Sequence, residues 1–152
     1  MLKLELKDDA VLAALSRLAA GMEDMTDPMN DMGEFLVVST KRRFCAGLGP
    51  DGTAWPANSP ITLARKNDAR PLFGPSGRLN QDIFHEAGPK QVEVGSPRVQ
   101  AAMMQFGGAK SAFPHLWGDI PARPFIGLSE ADETGILEIV TEWLDGLAGN
   151  SP

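Results

Sequence analysis

The sequence predicts an α+β fold in which a small antiparallel β-sheet, drawn from the middle of the chain, packs against N-terminal and C-terminal helices and is joined to them by long loops. Three observations carry that expectation. Apolar residues recur at helical spacing near both ends. Most of the 16 glycines and 12 prolines fall between residues 45 and 128, too densely for regular helix to dominate there. Within that stretch Gln91-Val92-Glu93-Val94-Gly95 alternates as a half-exposed strand does.

Taken in order, a first helix starts at Asp8 or Asp9, either of which suits an N-cap, and sets Val11, Leu15, Leu18 and Met22 on one face. Gly21 marks its end. A second helix is expected from an Asp27 cap followed by Pro28. Met29, Met32, Leu36, Thr40 and Arg43 continue along one side. That period assigns the β-branched run Leu36-Val37-Val38 to helix, as far as Phe44 or Cys45, with Gly47 as the stop. Gly49-Pro50-Asp51-Gly52 and Gly74-Pro75-Ser76-Gly77 are turn signals. Residues Leu79 to His85 are the expected partner of the Gln91–Gly95 strand, with Glu86-Ala87-Gly88-Pro89 as the turn. Val99 to Phe106 reads as a short helix closed by Gly107-Gly108, and Ala109 to Gly118 as a loop. Ser129 with Asp132 three residues on approximates a capping box. Beyond it Ile136, Ile139, Val140, Trp143, Leu144 and Leu147 form a broad apolar stripe that Gly149 ends.

A chain of 152 residues suits one domain, with 43% apolar and 22% charged residues in the ordinary range for a folded globular protein. No apolar run of about 18 residues is present, which excludes a transmembrane helix. Met1 to Asp9 alternates charge with leucine, so no secretory leader and a reducing cytosolic compartment are expected. The single cysteine excludes an internal disulfide and a cysteine zinc site. The formal charge of −6 hides a division into an acidic block over 1–34, a basic block over 35–123 and an acidic block over 124–152, the last without a single base. Such a chain can be electrically polar in space, which bears on partners rather than on fold.

No catalytic, cofactor-binding or metal-binding residue emerges. His85, at a strand end, and His115, in a loop beside Pro114 and Trp117, lack the surroundings of a catalytic triad; a small hydrolase built on either stays as one alternative. Cys45 follows Arg42-Arg43-Phe44, where cations lower a thiol pKa, but a packing cysteine fits equally. Glu23, Asp24, Asp27 and Asp31 lie close together without the spacing of a calcium loop. The glycines of residues 47–52 lack the lysine and preceding strand of a phosphate loop. A nucleic-acid-binding module is the stronger alternative: Lys41-Arg42-Arg43, Arg65-Lys66 and Arg70 form a basic stretch over 41–70, with Trp55 between them to stack on a base.

The middle of the chain resembles one family in five ordered blocks. These are Arg43-Phe44 with Gly49-Pro50-Asp51-Gly52-Thr53-Ala54-Trp55, Ser59-Pro60 and Thr62; Leu72-Phe73-Gly74-Pro75-Ser76-Gly77-Arg78-Leu79; Val92-Glu93-Val94-Gly95; Gln105-Phe106-Gly107-Gly108; and Ile120-Pro121-Ala122-Arg123-Pro124-Phe125-Ile126-Gly127-Leu128-Ser129. Together they are similar to the phage virion morphogenesis family, which includes tail-completion proteins of contractile-tailed phages. The resemblance runs from about Arg43 to Leu144. It departs where the family often has a Tyr-Ala pair and a histidine: Gln100-Ala101 and Met104 stand here instead, so no polar role is carried over to those positions.

The residues of these blocks read as structural. Pro50-Asp51-Gly52 fixes a turn and Trp55 anchors the loop on a core. Gly107-Gly108 permits positive φ or close backbone approach. Pro121 and Pro124 hold an extended segment that aims Arg123 at a fixed place, either a carboxylate of a neighbouring subunit or the chain's own acidic C-terminal helix.

The resemblance implies one virion-morphogenesis domain over 1–152 with a loop excursion at 109–119, and a structural, non-enzymatic role without cofactor. It implies assembly at the head–tail junction as a tail-completion, tail-terminator or neck component. A homo-oligomeric ring is expected, a hexamer foremost, closed by heterologous contacts, with tail-tube or neck and connector proteins as partners. It implies no membrane, and nucleic acid only by proximity to the DNA channel. The protein would be found in the host cytoplasm during assembly and then in the virion. The expected interface residues are Arg43, Trp55, Arg78, Phe106, Phe113, Trp117, Arg123 and Phe125. Phe113, Leu116 and Trp117 are apolar for a loop and either meet the next ring or tail tube or fold back on the core.

Overall fold

The computed structural model describes residues 9–149; Asp8, one of the two N-cap candidates, and the charged residues before it lie outside this range. The elements in chain order are α1 (Asp9–Gly21), α2 (Thr26–Ala46), α3 (Pro60–Arg65), α4 (Arg78–Gln81), β1 (Phe84–Ala87), β2 (Val92–Gly95), α5 (Ala101–Phe106) and α6 (Glu130–Ala148). The arrangement is α+β. One face of the molecule is built on α2, which is packed by both strands, by α4 and by α6, while α1 lies against α6.

Helix α2 starts one residue before the expected cap. Asp24 Oδ1 accepts from the Thr26 N–H at 3.0 Å and from the Thr26 hydroxyl at 2.5 Å, so the helix is entered through Asp24 and Thr26 rather than capped by Asp27. Leu36-Val37-Val38 is helical, and Gly47 ends the helix in the left-handed conformation at φ 69°, its N–H bonded to Arg43 O at 2.7 Å.

The sheet departs from its expected limits. Residues 79–81 belong to α4, and β1 is Phe84–Ala87, paired antiparallel with β2 so that Glu86 faces Glu93 and Ala87 faces Val92. The hairpin therefore turns through residues 88–91, with Gly88 N–H donating to Gln91 O at 2.8 Å. The physical reason is visible in burial. Leu79 and Ile83 are both in the core at 6% and 4% exposure while Gln81 between them is exposed, whereas a strand would put all three on one face.

Helix α6 has the capping box: the Ser129 side chain accepts from Asp132 N–H at 3.2 Å, and the Asp132 carboxylate accepts from Ser129 N–H at 2.9 Å. At its other end Arg17 of α1 donates to Leu147 O and Ala148 O, both at 3.2 Å, placing a cation at the negative pole of the helix. Gly135 lets α6 approach α2, since a Cβ there would lie 2.3 Å from Phe35 Cζ.

The core is aromatic and small. Phe44 and Phe125 are fully buried, and Trp55, Leu79 and Ile83 nearly so. Phe44 meets Trp55, Phe73 and Phe125 edge-on at centroid distances of 5.6, 6.1 and 5.2 Å.

Candidate functional site

The family-like blocks converge on one extended segment, residues 120–129. It forms no regular strand, yet its backbone is held almost continuously by groups from elsewhere. Ile120 bridges to Gly108 through two backbone hydrogen bonds of 2.8 and 2.9 Å. Gly107 sits at φ 72°, where a Cβ would lie 2.7 Å from Ala122 N and Ile120 O, so only glycine lets the chains pass this closely. Arg123 N–H donates to Met104 O at 2.8 Å. Trp55 Nε1–H donates to Pro124 O at 2.7 Å.

Gln105 grips the next two residues from both sides. Its Oε1 accepts from Phe125 N–H at 2.9 Å and Ile126 N–H at 3.1 Å, and its Nε2 donates to Ile126 O at 2.9 Å. The amide does the work of a missing β-strand. Arg43 completes the set from α2. Its Nη1 donates to Phe125 O at 3.0 Å and Gly127 O at 2.8 Å, while Nη2 pairs with the Asp132 carboxylate of α6. Asp132 also accepts from the Ser39 hydroxyl. Burial pushes the Asp132 pKa up, but hydrogen bonds from Ser39 and Ser129 and the charge of Arg43 outweigh it and hold the carboxyl below its ordinary value.

Four of the residues expected at a subunit interface therefore lie inside the protomer. Arg43 and Trp55 are each 7% exposed, Arg123 7% and Phe125 0%. Their polar atoms are engaged by the chain's own backbone, because an extended segment buried without a sheet partner needs side-chain donors. Arg123 is not paired with the chain's own acidic C-terminal helix. Its Nε and Nη2 donate to Pro56 O at 2.7 Å and Ala57 O at 2.9 Å, and it is Arg43 that pairs with the acidic helix.

The other four are on the surface: Arg78 is exposed, Phe106 is 79% exposed, Phe113 39% and Trp117 wholly so. The loop at 109–119 is split. Phe113 leans on Gly108 and stacks edge-on with His115, whereas Trp117 does not fold back.

The basic stretch does not form the surface that base stacking requires. Trp55 and Arg43 are buried, and Arg70 is engaged with Asp68 and lies over the Phe73 ring at 3.9 Å. His85 is packed on α2, with Nε2 3.0 Å from Asn30 Oδ1 and its ring over Gly33. Cys45 is exposed. Among the described residues no group of three potential metal ligands comes together, and no helix is long and apolar enough to cross a membrane.

Sequence reasoning missed Gln105 and Ser39 as determinants, and missed α3. The Ser59-Pro60 cap with Thr62 was the available signal for that helix. Arg43, Trp55 and Gln105, whose side chains hold segment 120–129, all belong to the family-like blocks, and the phage virion morphogenesis family matches residues 6–145. The chain belongs to that family. This morphogenesis protein is also 32% identical, over 132 residues, to the putative capsid assembly protein G of Escherichia phage Mu, covering 84% of this chain and 83% of the Mu protein. No solved structure matches it significantly. As a family member its role is structural, in virion assembly.

Proposed function

We propose that this morphogenesis protein works at the head–tail junction as a subunit of a homo-oligomeric ring, a hexamer foremost, completing or terminating the tail against tail-tube or neck proteins. Trp117 carries this reading. A tryptophan held wholly in water at the tip of an otherwise anchored loop has no use in the isolated protomer and is the residue type that anchors protein interfaces. Phe106, at 79% exposure beside the tightly held Gln105, supports it from a second position. The similarity to the Mu capsid assembly protein agrees with a place in particle assembly. Deletion of the gene is expected to leave filled heads beside separate or overlong tails, seen by electron microscopy of lysates. Infectious particles formed at the normal yield without it would refute the reading.

A further inference from the structure

A cleft of about 380 Å³ opens between α3, the loop before α4 and the start of segment 120–129. Lys66, Arg78 and Arg123 line it, against the one carboxylate of Asp119. Asp119 already accepts from the Lys110 N–H at 2.8 Å. Arg123 is a buried cation without a carboxylate partner among the described residues. Two of its nitrogens serve carbonyl oxygens, and Nη1 makes no bond among the described residues yet is not sealed from the outside. Burial, together with repulsion from Arg123, pushes the Lys66 pKa down despite the nearby Asp68. A desolvated guanidinium beside the Lys66 ammonium, which donates to Arg70 O at 3.1 Å, is a costly arrangement for an empty cleft and a favourable one for a bound anion.

Leu72 and Ile120 add an apolar wall, beside the neutral polar side chains of Asn58, Ser59, Thr62, Ser76 and Gln100. A small inorganic anion has no use for such a wall, whereas a carboxylate carried beside an aliphatic side chain uses both. The chain supplies that combination itself. On the outer side of α6, Leu137 is 66% exposed and Glu138 and Glu142 stand exposed beside it, in a segment with no base between residues 124 and 152.

We propose that the cleft is one half of the contact between neighbouring copies of this chain, and that the Leu137–Glu142 ridge of α6 from a second copy is the other half. The proposal rests on the ring reading above and names its two surfaces. They are different surfaces, so the contact is heterologous, repeats head to tail, and makes a ring when its rotation closes. Opposite charges fix its register.

The test is a charge exchange on the full chain, read by native mass spectrometry and size-exclusion chromatography. Glu138→Lys/Glu142→Lys and Lys66→Glu/Arg78→Glu are each expected to weaken self-association by roughly tenfold or more, with the circular dichroism spectrum and Tm of the wild type. Mixed together, the two variants are expected to reassemble in equal proportion, because every contact then joins opposite signs. The chain carrying all four changes is expected to assemble alone. A wild-type ring whose mass neither pair of changes alters would overturn this contact and leave the ring reading standing. A wild type that stays monomeric at every concentration would overturn both. Loss of inorganic phosphate binding by Lys66→Glu/Arg78→Glu, measured by calorimetry, with assembly intact would overturn it in favour of a free anion site.

Discussion

Arg43 and Asp132 stand 89 residues apart in sequence and form a buried ion pair that ties the last turn of α2 to the first turn of α6. The same guanidinium holds the backbone of Phe125 and Gly127, so one side chain joins three parts of the fold. Breaking such a pair leaves an uncompensated buried charge. Asp132→Ala is expected to cost about 3–5 kcal/mol in equilibrium denaturation, and a loss under 1 kcal/mol would show that the pair is not structural.

The same carboxyl sets an acid limit. The folded pKa of Asp132 lies below its ordinary 3.8, so its contribution is fully present above that value and is lost as pH falls below 3.8 through the folded pKa. Wild-type stability is expected to drop over that window more steeply than that of Asp132→Asn, measured as Tm against pH. Parallel curves would contradict the assignment.

Gln105→Leu removes the partners of Phe125 N–H, Ile126 N–H and Ile126 O at once. At about 1–3 kcal/mol for each group left unpaired in the interior, it is expected to be among the most damaging single changes outside the aromatic core. Gln105→Glu keeps the acceptor for both N–H groups and is expected to cost distinctly less. Hydrogen exchange at Phe125 and Ile126 distinguishes the two, since both amides are expected to lose protection only in the leucine variant.

Gly33 and His85 make a coupled pair. A Cβ on Gly33 would lie 2.2 Å from the His85 ring, so Gly33→Ala is expected to destabilise the protein. His85→Ala in the same chain is expected to recover part of that loss, giving a coupling of about 0.5–3 kcal/mol in a double-mutant cycle. Strict additivity would mean that the ring does not pack there.

Trp117→Ala is expected to leave Tm within the small range of a surface change, about ±0.5 kcal/mol, and yet to lower the yield of infectious particles. A large loss of Tm would place the ring in the core instead and remove the main support for an assembly surface.

How far the sequence carries depends on how local each determinant is. Helices α2 and α6 were legible because their signals lie within a few residues: an apolar period, Ser129 with Asp132, and the stops at Gly47 and Gly149. The strand expected over Leu79 to His85 holds at Phe84 and His85 only; short apolar runs do not separate the two periods, and the exposure of Gln81 between the buried Leu79 and Ile83 decides against a strand before them. Among the candidate site residues Phe106 and Trp117 are exposed, while Arg43 and Arg123, whose charge reads as surface, are buried.

By itself the sequence determined the α+β class, the two long helices, the division of charge and, through five ordered blocks, the family. The tertiary structure alone decided which of those block residues are surface and which are scaffold. Arginine and glutamine donate to any carbonyl within reach, and which carbonyl that is depends on contacts that span up to 131 residues. Segment 120–129 forms no strand, so its backbone groups take partners from α2, α5 and the Trp55 loop once these are folded around it, and no local pattern announces which ones.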